Sequence, residues 1–131
     1  MRTMPDAELV LTTWLRNHPD VQAFGPAVDV RYPGITPAVV VERIGGVADS
    51  LGVVDHPRLD VGIWGATKVA ALDLASVVRQ AIYAMRGEVV EGAAVGSVAE
   101  TLGLRYLPDE ATEAARYLLS VEITTRAVVA Q

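Results

Sequence analysis

Pro57-Arg58-Leu59-Asp60-Val61-Gly62-Ile63-Trp64-Gly65 sets the architecture expected of this chain. Leu59, Val61 and Ile63 alternate with Arg58, Asp60, Gly62 and Trp64, the period of a strand with one apolar face. From Thr67 to Arg86 the period turns helical. Ala70, Ala71, Leu74, Val77, Val78, Ala81, Ile82 and Met85 fall on one side, and Asp73, Ser76, Gln80 and Tyr83 on another. Thr67 suits an N-cap and Gly87 a C′ position. The expected unit is a strand, a one-turn connection and a long helix folded back over the sheet. Nothing in this unit has the character of an active site.

Outward from this unit, residues 5–17 read as a first helix. Leu9, Val10, Thr13 and Trp14 form its face, and Asp6 and Glu8 lie in its first turn, where the helix dipole favours acids. Asn17-His18-Pro19-Asp20 should stop it, because Pro19 restricts His18 to extended conformations. Phe24-Gly25-Pro26 reads as a turn. Val28, Val30 and Tyr32 alternate with Asp29 and Arg31 as a first strand, and Tyr32-Pro33-Gly34-Ile35 suits a type II turn. The second strand spans 38–44; Val39, Val40 and Val41 give it apolar groups on both faces, as in a strand interior to a sheet. Residues 45–56 are too long for a tight hairpin and read as a protruding loop between strands two and three. Residues 88–96 read as irregular. Residues 98–107 return to strand character with a bulge or bend at Gly103, and 107–110 read as a turn. Along 116–126, Tyr117, Leu119, Val121 and Ile123 face one way, and Leu118, Ser120, Glu122 and Thr124 the other. The fold class is α+β, one domain over 1–131, with a mostly antiparallel sheet of four to five strands packed against two helices. The expected helix–sheet core is Leu59, Val61, Ile63, Leu74, Val78, Ile82, Tyr117, Leu119, Val121 and Ile123. With one face covered, the other carries Val40, Leu118 and Trp64 among polar residues and needs a partner.

Composition narrows function. At 131 residues the chain can bury a sizeable core. Hydrophobic residues make up 51% while aromatics are only 5%, and mean hydropathy is +0.32, so aliphatic surface is in excess and some of it suits contacts between subunits. The net charge of −5 and the lack of a Lys/Arg cluster argue against nucleic-acid binding by phosphate neutralisation. With no cysteine there is no disulfide or thiolate chemistry, consistent with folding in a reducing cytosol. No signal peptide is expected, and charges break every apolar run before the ~18 residues of a membrane span.

Catalytic patterns are missing. His18 and His56 both sit in turns before proline and lack paired ligand spacing. Asp55, His56 and Asp60 form only a loose constellation, better read as a solvated turn. Gly92-Ala93-Ala94-Val95-Gly96 lacks the Gly-Lys-Ser/Thr ending of a phosphate loop. No serine has a nucleophile-elbow context, and Asp109-Glu110 reads as a turn corner. The expectation is a protein that is not an enzyme and needs no cofactor or metal.

The order of pieces carries a resemblance. A first helix ends in "LRNHPDV", a hairpin runs through "VDVRYPG" into "PAVVVERIGG", then come "RLDVGIWGATKVAALDLASVVRQAI" and "GLRYLPDEATEAARYLLSVEITTRAV". Over nearly the whole chain this resembles the tail terminator proteins of long-tailed, siphovirus-type bacteriophages, especially those of actinobacteria. The resemblance rests on strand and helix patterns rather than catalytic signatures. It implies a tail-terminator-like fold and a structural virion protein of the tail or neck, assembled in the host bacterial cytoplasm. Such proteins form a homo-oligomeric ring, typically a hexamer, that caps the tail tube and ends its polymerisation. The partners implied are further copies of the chain, the major tail tube protein and the head–tail connector protein. Genomic DNA passes through the lumen without specific binding, which the net negative charge suits, and no membrane is involved. The alternatives are another head–tail connector or minor tail protein of the same neck region, or a small α+β ligand-binding domain with its site under the 45–56 loop. A further alternative is an adaptor that binds a partner's strand at its sheet edge.

The candidate interface is that loop, through Gly45, Gly46, Asp49, Leu51, Val53, Asp55 and His56, with the strand positions Arg58, Asp60 and Trp64. The loop is expected to be mobile until a neighbour orders it. Arg58 and Asp60 are expected to pair across subunits, and Trp64 to offer exposed apolar surface.

Overall fold

The structure, a computed structural model, describes residues 4–128. Helix α1 (Ala7–Asn17) opens with the Asp6 carboxylate accepting the Leu9 N–H at 3.1 Å. It buries Ala7, Val10, Leu11, Thr12 and Leu15, while Leu9 is exposed. The expected face is therefore rotated. α1 packs against both the sheet and the neighbouring long helix over 68–84, and the row Ala7, Leu11, Leu15 turns inward. Trp14 is half-buried at the helix–helix contact, its indole N–H donating to the Ala81 carbonyl at 2.7 Å. The helix ends at extended His18, as the following proline requires, but Pro19 does more than stop it. Proline's fixed φ suits a first helical position, and α2 (Pro19–Gln22) starts there.

Strand β1 (Ala27–Asp29) pairs parallel with β2 (Ala38–Gly45), Val28 opposite Val39, so the expected hairpin is corrected. Val28 and Val39 both turn to the core, and the Arg16 guanidinium holds the Val28 carbonyl at 3.0 and 2.7 Å. The chain then leaves the sheet at Val30 and crosses back through a cis Thr36–Pro37 peptide. β2 pairs antiparallel with β3 (Arg58–Gly65), β3 with β6 (Ala115–Ala127), β6 with β5 (Ala93–Tyr106) and β5 with β4 (Val89–Val90). The result is a mixed six-stranded sheet in the order β1-β2-β3-β6-β5-β4, antiparallel at every pairing but the first. The fold is α+β as expected, with six strands rather than four to five and three helices rather than two.

Residues 88–96 are not irregular. Glu91 and Gly92 both have positive φ, 49° and 72°, and make a two-residue turn between β4 and β5. The irregularity expected near Gly103 is present as a register shift between Leu102 and Arg105, with two further shifts earlier in β5.

Helix α3 (Lys68–Ala84) is capped by Thr67, whose hydroxyl accepts the Ala70 N–H at 3.1 Å. It buries Ala71, Leu74, Ala75, Val78, Ala81 and Ile82, and Met85 just beyond its end; Val77 is only half-buried and Ala70 is exposed, against expectation, since the helix meets the sheet along a narrower stripe. α3 lies over β3 and β6, and α1 over β1 and β2, on the same face. All ten residues expected in the core are buried there. α1 also touches β4, at the far margin of the sheet, so the sheet curls around its helices and its other face is convex.

Candidate assembly interface

Residues 46–57 join β2 to β3 and are built from the base upward. Arg43 ends the regular part of β2, where the register shifts before Gly45. Its guanidinium forks onto both oxygens of Asp55, at 2.8 and 3.1 Å, and also donates to the carbonyls of Gly45 and Gly46. Asp55 is only 3% exposed. Its backbone exchanges hydrogen bonds with Thr125 of β6, at 2.8 and 3.0 Å, so the chain joins the sheet before β3 begins. The half-buried His56 donates its N–H to the Val47 carbonyl at 3.1 Å. Nearer the tip, one Asp49 oxygen accepts the Val53 N–H at 2.9 Å, and the Asp49 N–H donates to the Val54 carbonyl at 2.8 Å. The Val53 hydrogen bond holds the Asp49 carboxyl below its usual range, with help from neighbouring backbone N–H groups against a smaller opposing effect of burial.

The loop is therefore hydrogen-bonded to itself and to β6, which corrects the expectation of an arm that orders only against a neighbour. Its tip leaves Leu51 at 82% and Val47 at 75% exposure, the two highest among the large exposed hydrophobics.

Trp64 lies at the other end of β3. It was expected to be exposed, but it is 5% exposed. Tyr32, leaving β1, stacks on it with ring centres 4.8 Å apart at 22°. The Arg116 guanidinium sits 5.4 Å from its ring, and its indole N–H donates to Asp109 at 3.3 Å. The ring lies back along its own strand over Gly62, where a Cβ would come within 2.6 Å of it. Burial pushes the Asp109 carboxyl up. Hydrogen bonds from the Ala111 N–H, the Trp64 indole and Thr112, with the Arg116 charge, outweigh it and hold the pKa below the ordinary value.

Of the remaining candidates, Gly45 and Arg58 are exposed, and Gly46, Asp49, Val53 and Asp60 are half-buried. Asp60 accepts the Ser120 hydroxyl and so is occupied within the chain, while Arg58 stands opposite Glu122. Six residues of strand, about 20 Å at ~3.3 Å per residue, separate Arg58 from Trp64. The structure brings the loop residues and Arg58 together at one end of the sheet and leaves Trp64 at the other.

Sequence reasoning missed Arg43, Val47 and Tyr32. Arg43 carried a signal: it shares the core-facing parity of Val39 and Val41, where a charge needs a buried partner. No signal marked Tyr32, whose partner is 32 positions away.

Among the described residues no group of three or more His, Cys, Asp or Glu could hold a metal, and no helix is long and apolar enough to cross a membrane. No family model matches the chain, and no curated protein matches it in sequence. The fold does match a solved structure, a chain of "Virion of native gene transfer agent (GTA) particle". The TM-score is 0.68 over 92% of this chain and 95% of that one, and the sequence identity is 14%, so what the two share is the fold.

Proposed function

We propose that the protein is a structural component of a phage-like virion, and that within it the chain acts as a tail terminator. Several copies form a ring, six by the resemblance above, on the last ring of the tail tube. The ring ends addition of the tube protein and presents a surface to the head–tail connector. The observation that carries this reading is the near-complete mutual coverage with a chain of a virion particle. The aliphatic loop tip supports it, because an exposed, largely apolar, internally fixed tip suits contact with other subunits. The net charge of −5 suits a ring through which DNA passes without adhering.

Deleting the gene from the particle-forming locus tests the reading. The expected result is tails of unregulated length that do not join heads. Tails of normal length that merely lack heads would instead indicate a connector role in the neck. Intact, infectious particles would overturn both.

A further inference from the structure

The outer face of the sheet carries a furrow at its loop end. It has a volume of about 390 Å³ and is lined by Val54, Gly87, Ala94, Gly96, Thr124 and Arg126 among others. Thr124 and Arg126 share the outward parity of Leu118 and Ser120 on β6, and Ala94 stands opposite Arg126 in register. The floor is made of small residues because β5 and β6 lose register here, between Val95 and Val98, and the Thr124 hydroxyl fills the gap by accepting the Ser97 N–H at 2.7 Å. Arg126 is the one ionised side chain on the furrow's lining, is exposed, and has no hydrogen-bond or ion-pair partner among the described residues.

The tip of the 46–57 loop has the complementary character. From Val47 to Val53 it carries one charged residue, Asp49, in an otherwise aliphatic and small-residue segment. One Asp49 oxygen is used by Val53, and the carboxylate stays ionised through the neutral range. Leu51 and Val47 stand out from a backbone that is already fixed, so docking them orders little additional chain.

We propose that the loop tip of one copy seats in this furrow of a second copy, Leu51 and Val47 against the Ala94 and Gly96 floor, with Asp49 beside Arg126. The partner is another molecule of this chain, because one surface carries the apolar knob with a single negative charge and the other the small-residue furrow with a single positive charge. The inference rests on the ring reading above for its repetition around a closed assembly.

The chain has no cysteine, so introduced thiols report one contact. Leu51→Cys combined with Ala94→Cys should form disulfides between chains on mild oxidation, giving a ladder on a non-reducing gel. Leu51→Cys with Ile35→Cys, exposed at the Trp64 end of the sheet, should not. A charge transplant gives an independent reading. Arg126→Asp should weaken self-association by about tenfold or more, since it then faces Asp49, and Arg126→Asp with Asp49→Arg should restore most of it. The melting temperature of Arg126→Asp should stay near wild type, Arg126 being exposed. Equal cross-linking by the two cysteine pairs, or a double charge variant no better than Arg126→Asp, would overturn the contact, as would a wild-type chain that stays monomeric at millimolar concentration. The ring reading fails separately. A ladder that stops at two chains keeps the contact and removes the ring, and a ring-sized species without the Leu51–Ala94 cross-link keeps the ring and removes the contact.

Discussion

Trp64 and Leu51 are both large apolar residues near the ends of β3, and the chain treats them in opposite ways. At the Trp64 end, two connections fold over the sheet. Tyr32 stacks on the indole, Arg116 lies over it, and Asp109 takes its N–H. At the other end the Arg43–Asp55 pair and the β6 hydrogen bonds secure the base of a loop whose tip stays in solvent. Residue type alone would choose Trp64 as the interface anchor. The difference teaches that what matters is whether the chain's own segments can reach the residue. Long flanking connections reach Trp64, and none reaches Leu51.

The largest test of this contrast is Trp64→Ala. It should lower stability by about 3–5 kcal/mol, the range for truncating a buried aromatic, as read from urea unfolding. A loss under about 1 kcal/mol would mean that the indole belongs to an interface after all. At the loop end, Asp55→Asn should cost about 1–3 kcal/mol. The figure stays below that of a fully buried pair because the Arg43 side chain is 33% exposed and screened by solvent. An unchanged urea midpoint would show that the clamp does not hold the loop.

Acid should act at both ends with the same sign. Asp49 and Asp109 have folded-state pKa values below the ordinary carboxyl value. The stability they lend is present above the unfolded value of about 3.9 and is lost as pH falls through the folded values. Asp109→Asn should remove part of the acid-induced red shift of Trp64 emission in a Trp14→Phe background; an identical acid transition in both proteins would contradict that coupling. The smallest effect should come from Leu51→Ser, within about 0.5 kcal/mol of wild type, because the side chain is 82% exposed. A clearly larger loss would show that the tip packs on its own domain.

The central unit was legible in the sequence because its periods are local. Leu59, Val61 and Ile63, the Leu74–Val78–Ile82 row of α3, and the Tyr117-to-Ile123 alternation each repeat at the spacing their element requires, and all are buried. Elements set by distant contacts were not legible. Val30 and Tyr32 continue the alternation of Val28, yet Tyr32 leaves the sheet because Trp64 offers it a stacking surface. Leu9 and Val10 are equally apolar, and only docking against both β2 and α3 decides which of them turns inward. The β4–β5 turn did carry a local signal, Glu91-Gly92 between two small apolar pairs, but the Gly- and Ala-rich surroundings masked it. At the candidate interface, the exposed loop tip was legible from its length. The burial of Asp55 was not, because its partners Arg43 and Thr125 lie 12 and 70 positions away.

The central proposal is that this chain is a ring-forming component at the end of a virion tail. Cryo-electron microscopy of the particle encoded with this gene tests it most directly, with the structure described here docked into the density. The account expects a closed ring of copies between the last tube ring and the head connector. Particles whose tail terminus contains no density matching this fold, or that carry it only elsewhere in the virion, would contradict it.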